Sequence, residues 1–162
     1  MEELIISTRL EIHTTDEQLS SVERELLSRA NSARERAYAP YSLFKVGAAL
    51  ILENGVIVEG NNQENGAYPS GLCAERVAFF SASAQYPDVA ISAIAITASS
   101  ANFLMDHPVA PCGACRQVML EYQLKQKNPI ALLMKGEEGK IIRLTGLTQL
   151  LPLYFNEEGL KK

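Results

Sequence analysis

Between Asp16 and Ala37 apolar side chains recur every three or four positions: Leu19, Val22, Leu26, Leu27, Ala30 and Ala33, with Arg34 and Ala37 completing the stripe. A 3.6-residue period of this kind predicts an amphipathic helix over about 16–38, capped by Thr15 or Asp16 and ended by Pro40. The period then changes. "FKVGAALILENGVIVEGNN" is two apolar, β-branched runs joined at "ENG", and Asn-Gly between such runs is the strongest short-range hairpin signal, so strands are expected at about 44–52 and 55–60. Polar "NNQENGAYPSGL" reads as a loop leading into a helix that starts at Cys73 and runs to Pro87.

"VAISAIAITAS" is almost wholly apolar, the pattern of a strand buried on both faces. A loop, "SANFLMDHPVAP", precedes a third helix over about 113–126. "PIALLMK" and "KIIRLT" read as two more strands around "GEEG", and "LTQLLPLYF" as a short closing helical segment. The order is helix, hairpin, helix, strand, helix, strand, strand, short helix. Alternation in the middle implies parallel neighbours with helices on both faces, whereas the leading hairpin is antiparallel. The expected class is therefore α/β, with three α/β/α layers around a mixed sheet of about five strands. Residues 1–15 give no comparable signal: "LEIHTT" fits a short strand, an arm or disorder, so they are set apart from a single domain over 16–162.

Composition narrows the function. The chain has 162 residues, 47% of them hydrophobic, enough to line the core of one domain of common size. Its formal net charge is −4, and no run of basic residues could track a phosphate backbone or an anionic bilayer. Polynucleotide and membrane partners are not expected. The acidic start, with Glu2, Glu3, Glu11, Asp16 and Glu17, lacks the features of a secretory signal, and a cytoplasmic location follows as an expectation. Three cysteines in a reducing compartment favour metal binding or catalysis over structural disulfides.

Those cysteines carry the chemistry. Cys112 and Cys115 form a C-x-x-C pair in "PCGAC", and Cys73 opens "CAER" far upstream. Both stretches begin helices, where backbone N–H groups favour thiolate, the form that binds metal. Positions 112 and 115 lie one turn apart, so both sulfurs and that of Cys73 can converge on one ion. Three protein ligands leave a fourth tetrahedral position for water, the mark of a catalytic rather than a structural zinc site. Three thiolates also blunt the ion's acidity, and Arg76 and Arg116, each next to a key residue, are placed to donate to a ligand sulfur in compensation. Glu75, two residues after Cys73, is the candidate proton shuttle, the arrangement of zinc deaminases. A redox dithiol would leave Cys73 and Glu75 without work. A purely structural zinc module, or a non-enzymatic protein stabilised by zinc, would want a fourth ligand, which neither His13 nor His107 obviously supplies.

"AYAPYSLFKVGAAL", "GNNQENGAYPSGLCAERVAFF", "PCGACRQVMLEY" and "LLPLYF" together resemble, in order and spacing, the successive motifs of the homotetrameric zinc-dependent cytidine deaminases. The resemblance implies hydrolytic deamination of cytidine and 2'-deoxycytidine in pyrimidine salvage, with one Zn2+ per subunit. It places the metal on Cys73, Cys112 and Cys115 and the proton shuttle on Glu75. It also implies that Asn62 and Glu64 bind ribose, that Phe44 packs on the pyrimidine and that the Ala74 backbone meets the base edge. Phe155 would reach a neighbouring subunit's pocket in a homotetramer. Gln63 departs from the apolar residue usual at its position. Another small amine-bearing nucleoside or nucleobase is the alternative substrate.

Overall fold

The computed structural model describes residues 1–156; residues 157–162, the end of the expected catalytic domain, lie outside the described residues. Six strands form one sheet in the order β1-β6-β5-β4-β2-β3, with β1 Glu11–His13, β2 Phe44–Leu52, β3 Ile57–Asn61, β4 Ile91–Ser100, β5 Ala131–Lys135 and β6 Ile141–Thr145. β4 and β5 run parallel, and every other neighbouring pair is antiparallel. Helix α1 (Ser21–Glu35) covers one face, and α2 (Ala74–Gln85) and α3 (Gly113–Leu124) cover the other.

The strand period of two sorts the apolar side chains between these layers. Leu50, Ile94, Ile96 and Leu132 pack beneath Ala78, Phe79 and Met119 of α2 and α3. Ala49, Ala95, Leu133 and Ile141 pack against Leu26, Leu27 and Ala30 of α1. The small residues in the second group let α1 lie close to the sheet.

The expected mixed α/β/α sandwich is therefore present, with six strands where about five were expected. The extra strand is β1, from the segment with no readable pattern. Its register, Glu11 opposite Arg143 and His13 opposite Ile141, places it on the outer edge of β6, and Arg143 binds Glu11 at 3.0 Å and Glu23 of α1 at 2.7 Å.

The first helix also begins later than its stripe implied. Asp16–Gln18 form a separate 3-10 turn, Leu19 is extended, and the cap is Ser20, whose hydroxyl accepts the Glu23 N–H while Glu23 accepts the Ser20 N–H. Reciprocal bonding of this kind satisfies two of the donors a helix start leaves free.

Two glycines set how closely the layers approach. A Cβ at Gly47 of β2 would lie 2.0 Å from the Ala30 carbonyl of α1, and one at Gly60 of β3 would lie 2.5 Å from the Ala74 carbonyl of α2. No side chain fits either crossing, so backbone packs on backbone there. Gly47→Ala should cost about 3 kcal/mol by pushing α1 off the sheet, read as a lower denaturant midpoint with an unchanged m-value.

Candidate active site and metal centre

The two long loops of the α2/α3 face end at helix starts that lie side by side. Cys73 is the cap residue of α2 and Cys112 that of α3, both with extended backbone, while Cys115 lies in the first turn of α3. Their burial is graded: Cys112 is exposed, Cys73 half-buried and Cys115 buried. The three sulfurs all lie within 4.8 Å of one another, with Cys73 Sγ and Cys112 Sγ 3.9 Å apart. Tetrahedral zinc with Zn–S distances of about 2.3 Å needs sulfurs about 3.8 Å apart. The donor set and its spacing thus fit zinc, and soft thiolates favour it over harder cations.

The surroundings hold negative charge on the sulfurs. The Cys73 thiol is drawn down to about 5, chiefly by its hydrogen bond with Cys115, and then by Arg76 and Cys112 against the opposing effect of burial. Cys115, at the other end of that hydrogen bond and shut away from water, is pushed up. Arg76 Nη2 donates to Cys73 Sγ at 3.8 Å and lies 3.5 Å from the Gly71 carbonyl.

Arg116 differs from its expected role at a ligand sulfur. Its Nε donates to the Pro111 carbonyl at 2.8 Å and its Nη1 to the Leu150 carbonyl at 3.1 Å. The guanidinium thus braces the turn immediately before Cys112 and ties it to the segment after β6.

Glu75 stands in the first turn of α2, 5% exposed. Burial, reinforced by the negative charge of Cys73, raises its carboxyl above the usual carboxylate range. A carboxylate that takes up a proton more readily than in water, next to a cluster of metal-binding sulfurs, has the properties of a general acid and base.

A cavity of about 290 Å³ opens beside Cys73 and Arg76 and is lined by Asn62, Gln63, Glu64 and Tyr68. Gln63 and Leu72 exchange two backbone hydrogen bonds of 2.9 Å, which tie this loop to the residue before Cys73. Gln63 itself is exposed, its amide donating to Asn61. Glu64 accepts from the Tyr41 and Ser42 backbones and from the Ser42 hydroxyl, and these bonds, the hydroxyl's foremost, lower its pKa. Asn62 bonds the first residues of β2, where Phe44 is half-buried. Ala74 is fully buried at the α2 start. Phe155 is 72% exposed, its carbonyl held by Gln117 at 3.0 Å.

Ser42 and Tyr68 were not singled out in the sequence. The Ser42 bond to Glu64 spans 22 positions. A cavity of about 320 Å³ lies at the opposite, C-terminal ends of α2 and α3, beside Tyr86 and Tyr122, and contains none of these groups.

A three-layer α/β fold that gathers three thiols and a buried carboxylate at two adjacent helix starts defines a zinc-dependent hydrolytic centre. Comparison with known proteins makes the class specific: residues 20–128 match the cytidine and deoxycytidylate deaminase zinc-binding region, and the chain belongs to that family. It is 42% identical over 137 residues to a cytidine deaminase of Sporosarcina psychrophila, covering 84% of this chain and 93% of that one. It is also similar to the crystal structure of cytidine deaminase from Burkholderia pseudomallei, with a TM-score of 0.70 and 38% identity over 85% of this chain and 100% of that one. For the Mycobacterium tuberculosis cytidine deaminase structure the TM-score is 0.64 at 31% identity, over 85% and 99% of the two chains.

Cys115→Ala should reduce bound zinc from about one equivalent to near zero by elemental analysis. Arg76→Gln should keep the metal but weaken its retention about tenfold against a competing chelator, because it removes a donor to a ligand sulfur.

Proposed function

We propose that this protein hydrolyses cytidine and 2'-deoxycytidine to the uridines and ammonia, serving pyrimidine salvage. The observation that carries this reading is a buried Glu75 beside three convergent sulfurs, in a chain whose relatives are cytidine deaminases. Cys73, Cys112 and Cys115 would hold a zinc ion, whose Lewis acidity lowers the pKa of a water towards roughly 7.

Glu75 takes one proton from the attacking water and delivers it to the ring nitrogen of the pyrimidine as the C–O bond forms; it then takes the remaining proton from the new hydroxyl and delivers it to the amino group, so that the C–N bond breaks, ammonia leaves and the carbonyl of the uridine forms. Its raised pKa suits both halves of that exchange. Arg76 sustains the charge on Cys73. Arg116 keeps the Pro111–Cys112 turn in place.

Phe44 offers a flat apolar face to the base, while Asn62 and Glu64 address the sugar hydroxyls from the adjoining loop. The Ala74 backbone, at the start of α2, meets the edge of the base. Phe155, projecting from its own subunit, completes the pocket of another in a homotetramer. Residues 16–162 form the catalytic unit, and residues 1–15 are an arm laid along its edge. A cytoplasmic location is consistent with the acidic composition, and no helix among the described residues is long and apolar enough to cross a membrane.

Glu75→Gln should keep its zinc and its fold yet lose about 10²–10⁴-fold in turnover, the usual contribution of a positioned proton carrier. Ammonia release from cytidine, deoxycytidine, cytosine, adenosine and guanine, measured beside metal content, checks both the shuttle and the substrate; turnover close to wild type in the Gln variant would remove Glu75 from the mechanism.

A further inference from the structure

The loop assigned to the sugar does something else in the structure: it holds the backbone on either side of Phe44. Leu43 is the one non-glycine residue among the described residues with a left-handed backbone, at φ +56°. A branched apolar side chain disfavours that conformation, so the surroundings must enforce it. Two backbone bonds hold Leu43 itself, its N–H donating to the Ala39 carbonyl at 3.1 Å and its carbonyl accepting the Ala101 N–H at 3.1 Å, and two more, of 3.0 and 2.9 Å, join the preceding segment at Tyr38 to Asn62 and Glu64.

Side chains complete the restraint. Glu64 Oε2 accepts the Tyr41 N–H at 2.9 Å and the Ser42 N–H at 3.3 Å, and Oε1 accepts the Ser42 hydroxyl. The Ser42 Oγ in turn accepts the Phe44 N–H at 3.0 Å. From the other side, Asn62 Nδ2 donates to the Phe44 carbonyl at 2.9 Å and Oδ1 accepts the Val46 N–H at 2.7 Å. Both backbone groups of Phe44 are thus gripped by side chains, one by Ser42 backed by Glu64, the other by Asn62.

We propose that Ser42 is a positioning residue, and that Glu64, Ser42 and Asn62 act as a clamp that fixes the Phe44 ring, so that sugar recognition and base stacking are a single device. The inference rests on the functional reading above and deepens it. With three donors on its two oxygens, Glu64 retains about one of its roughly four acceptor sites for a sugar hydroxyl, and the Asn62 amide keeps one N–H and one lone pair. A hydroxyl bound there adds a partner to a network that already orders the aromatic ring. Glu64→Gln would place an amide where acceptors are needed, and Ser42→Ala would cut the relay to the Phe44 N–H and take one donor from Glu64 while leaving the Glu64 and Asn62 side chains themselves unchanged.

The test compares cytidine with 2',3'-dideoxycytidine, which lacks both hydroxyls. Ser42→Ala should lower kcat/KM about three- to tenfold, and Glu64→Gln about tenfold or more, the sizes expected for a neutral and a charge-assisted hydrogen bond. The Ser42→Ala factor should be the same for both nucleosides and should shrink to near unity in a Phe44→Leu background. Factors that vanish for the dideoxynucleoside, or that multiply independently with Phe44→Leu, would overturn the clamp in favour of direct sugar contact. Amide hydrogen exchange gives a readout independent of turnover: Phe44 should exchange at least about fivefold faster in Ser42→Ala at unchanged melting temperature, and unchanged protection would refute the clamp. A wild-type enzyme inert towards both nucleosides would overturn the functional reading, and the exchange result alone would then decide the clamp.

Discussion

Three sulfurs close enough to share one cation repel each other once ionised, and the rest of the structure is arranged so that they can nevertheless meet. The cluster lies at two helix N-termini, where the helix dipole favours negative charge, and Arg76 adds a full positive charge beside Cys73. This geometry needs α2 and α3 in fixed relation. Gly60 supplies part of it by letting the first turn of α2 settle directly on β3, and Arg116 supplies another part by binding the carbonyl just ahead of Cys112. Glu75 gains its proton affinity from the same arrangement, since burial on α2 and the charge on Cys73 both raise it.

The sheet carries the pocket to the metal centre. β2 begins at Phe44 and pairs there with Ser100, the last residue of β4, from which the chain continues towards Pro111 and Cys112. β3 ends at Asn61, and the loop after it crosses back to β2 through Asn62 and Glu64 before reaching Cys73. Phe44, the loop of Asn62 and Glu64, and the three sulfurs are consecutive stations on one short circuit of backbone.

Much of this could be read from the sequence because its signals are local. The Cys112/Cys115 spacing is one helical turn, the Asn54-Gly55 step joins β2 to β3, and the apolar run through β4 marks a central strand. What escaped depends on contacts between distant positions. Thr15, one of the two caps expected for the first helix, closes only the 3-10 turn, and Ser20, three residues before Glu23, starts α1. β1 has two exposed residues out of three and exists by pairing with β6 rather than by any pattern of its own. Arg116 suggested a sulfur contact by its place next to Cys115, yet its side chain reaches backward to a carbonyl. Ser42 is silent in sequence because its importance comes from Glu64, 22 positions away.

The edge position of β1 ties the two ends of the fold together in time as well as in space. Glu11 bonds to Arg143, 132 positions later, so during synthesis β1, the first strand made, has no partner in the sheet until β6 has emerged. Closing so wide a loop is among the slowest kinds of contact to form. Until β1 docks, the outer edge of β6 stays open to any other strand that reaches it.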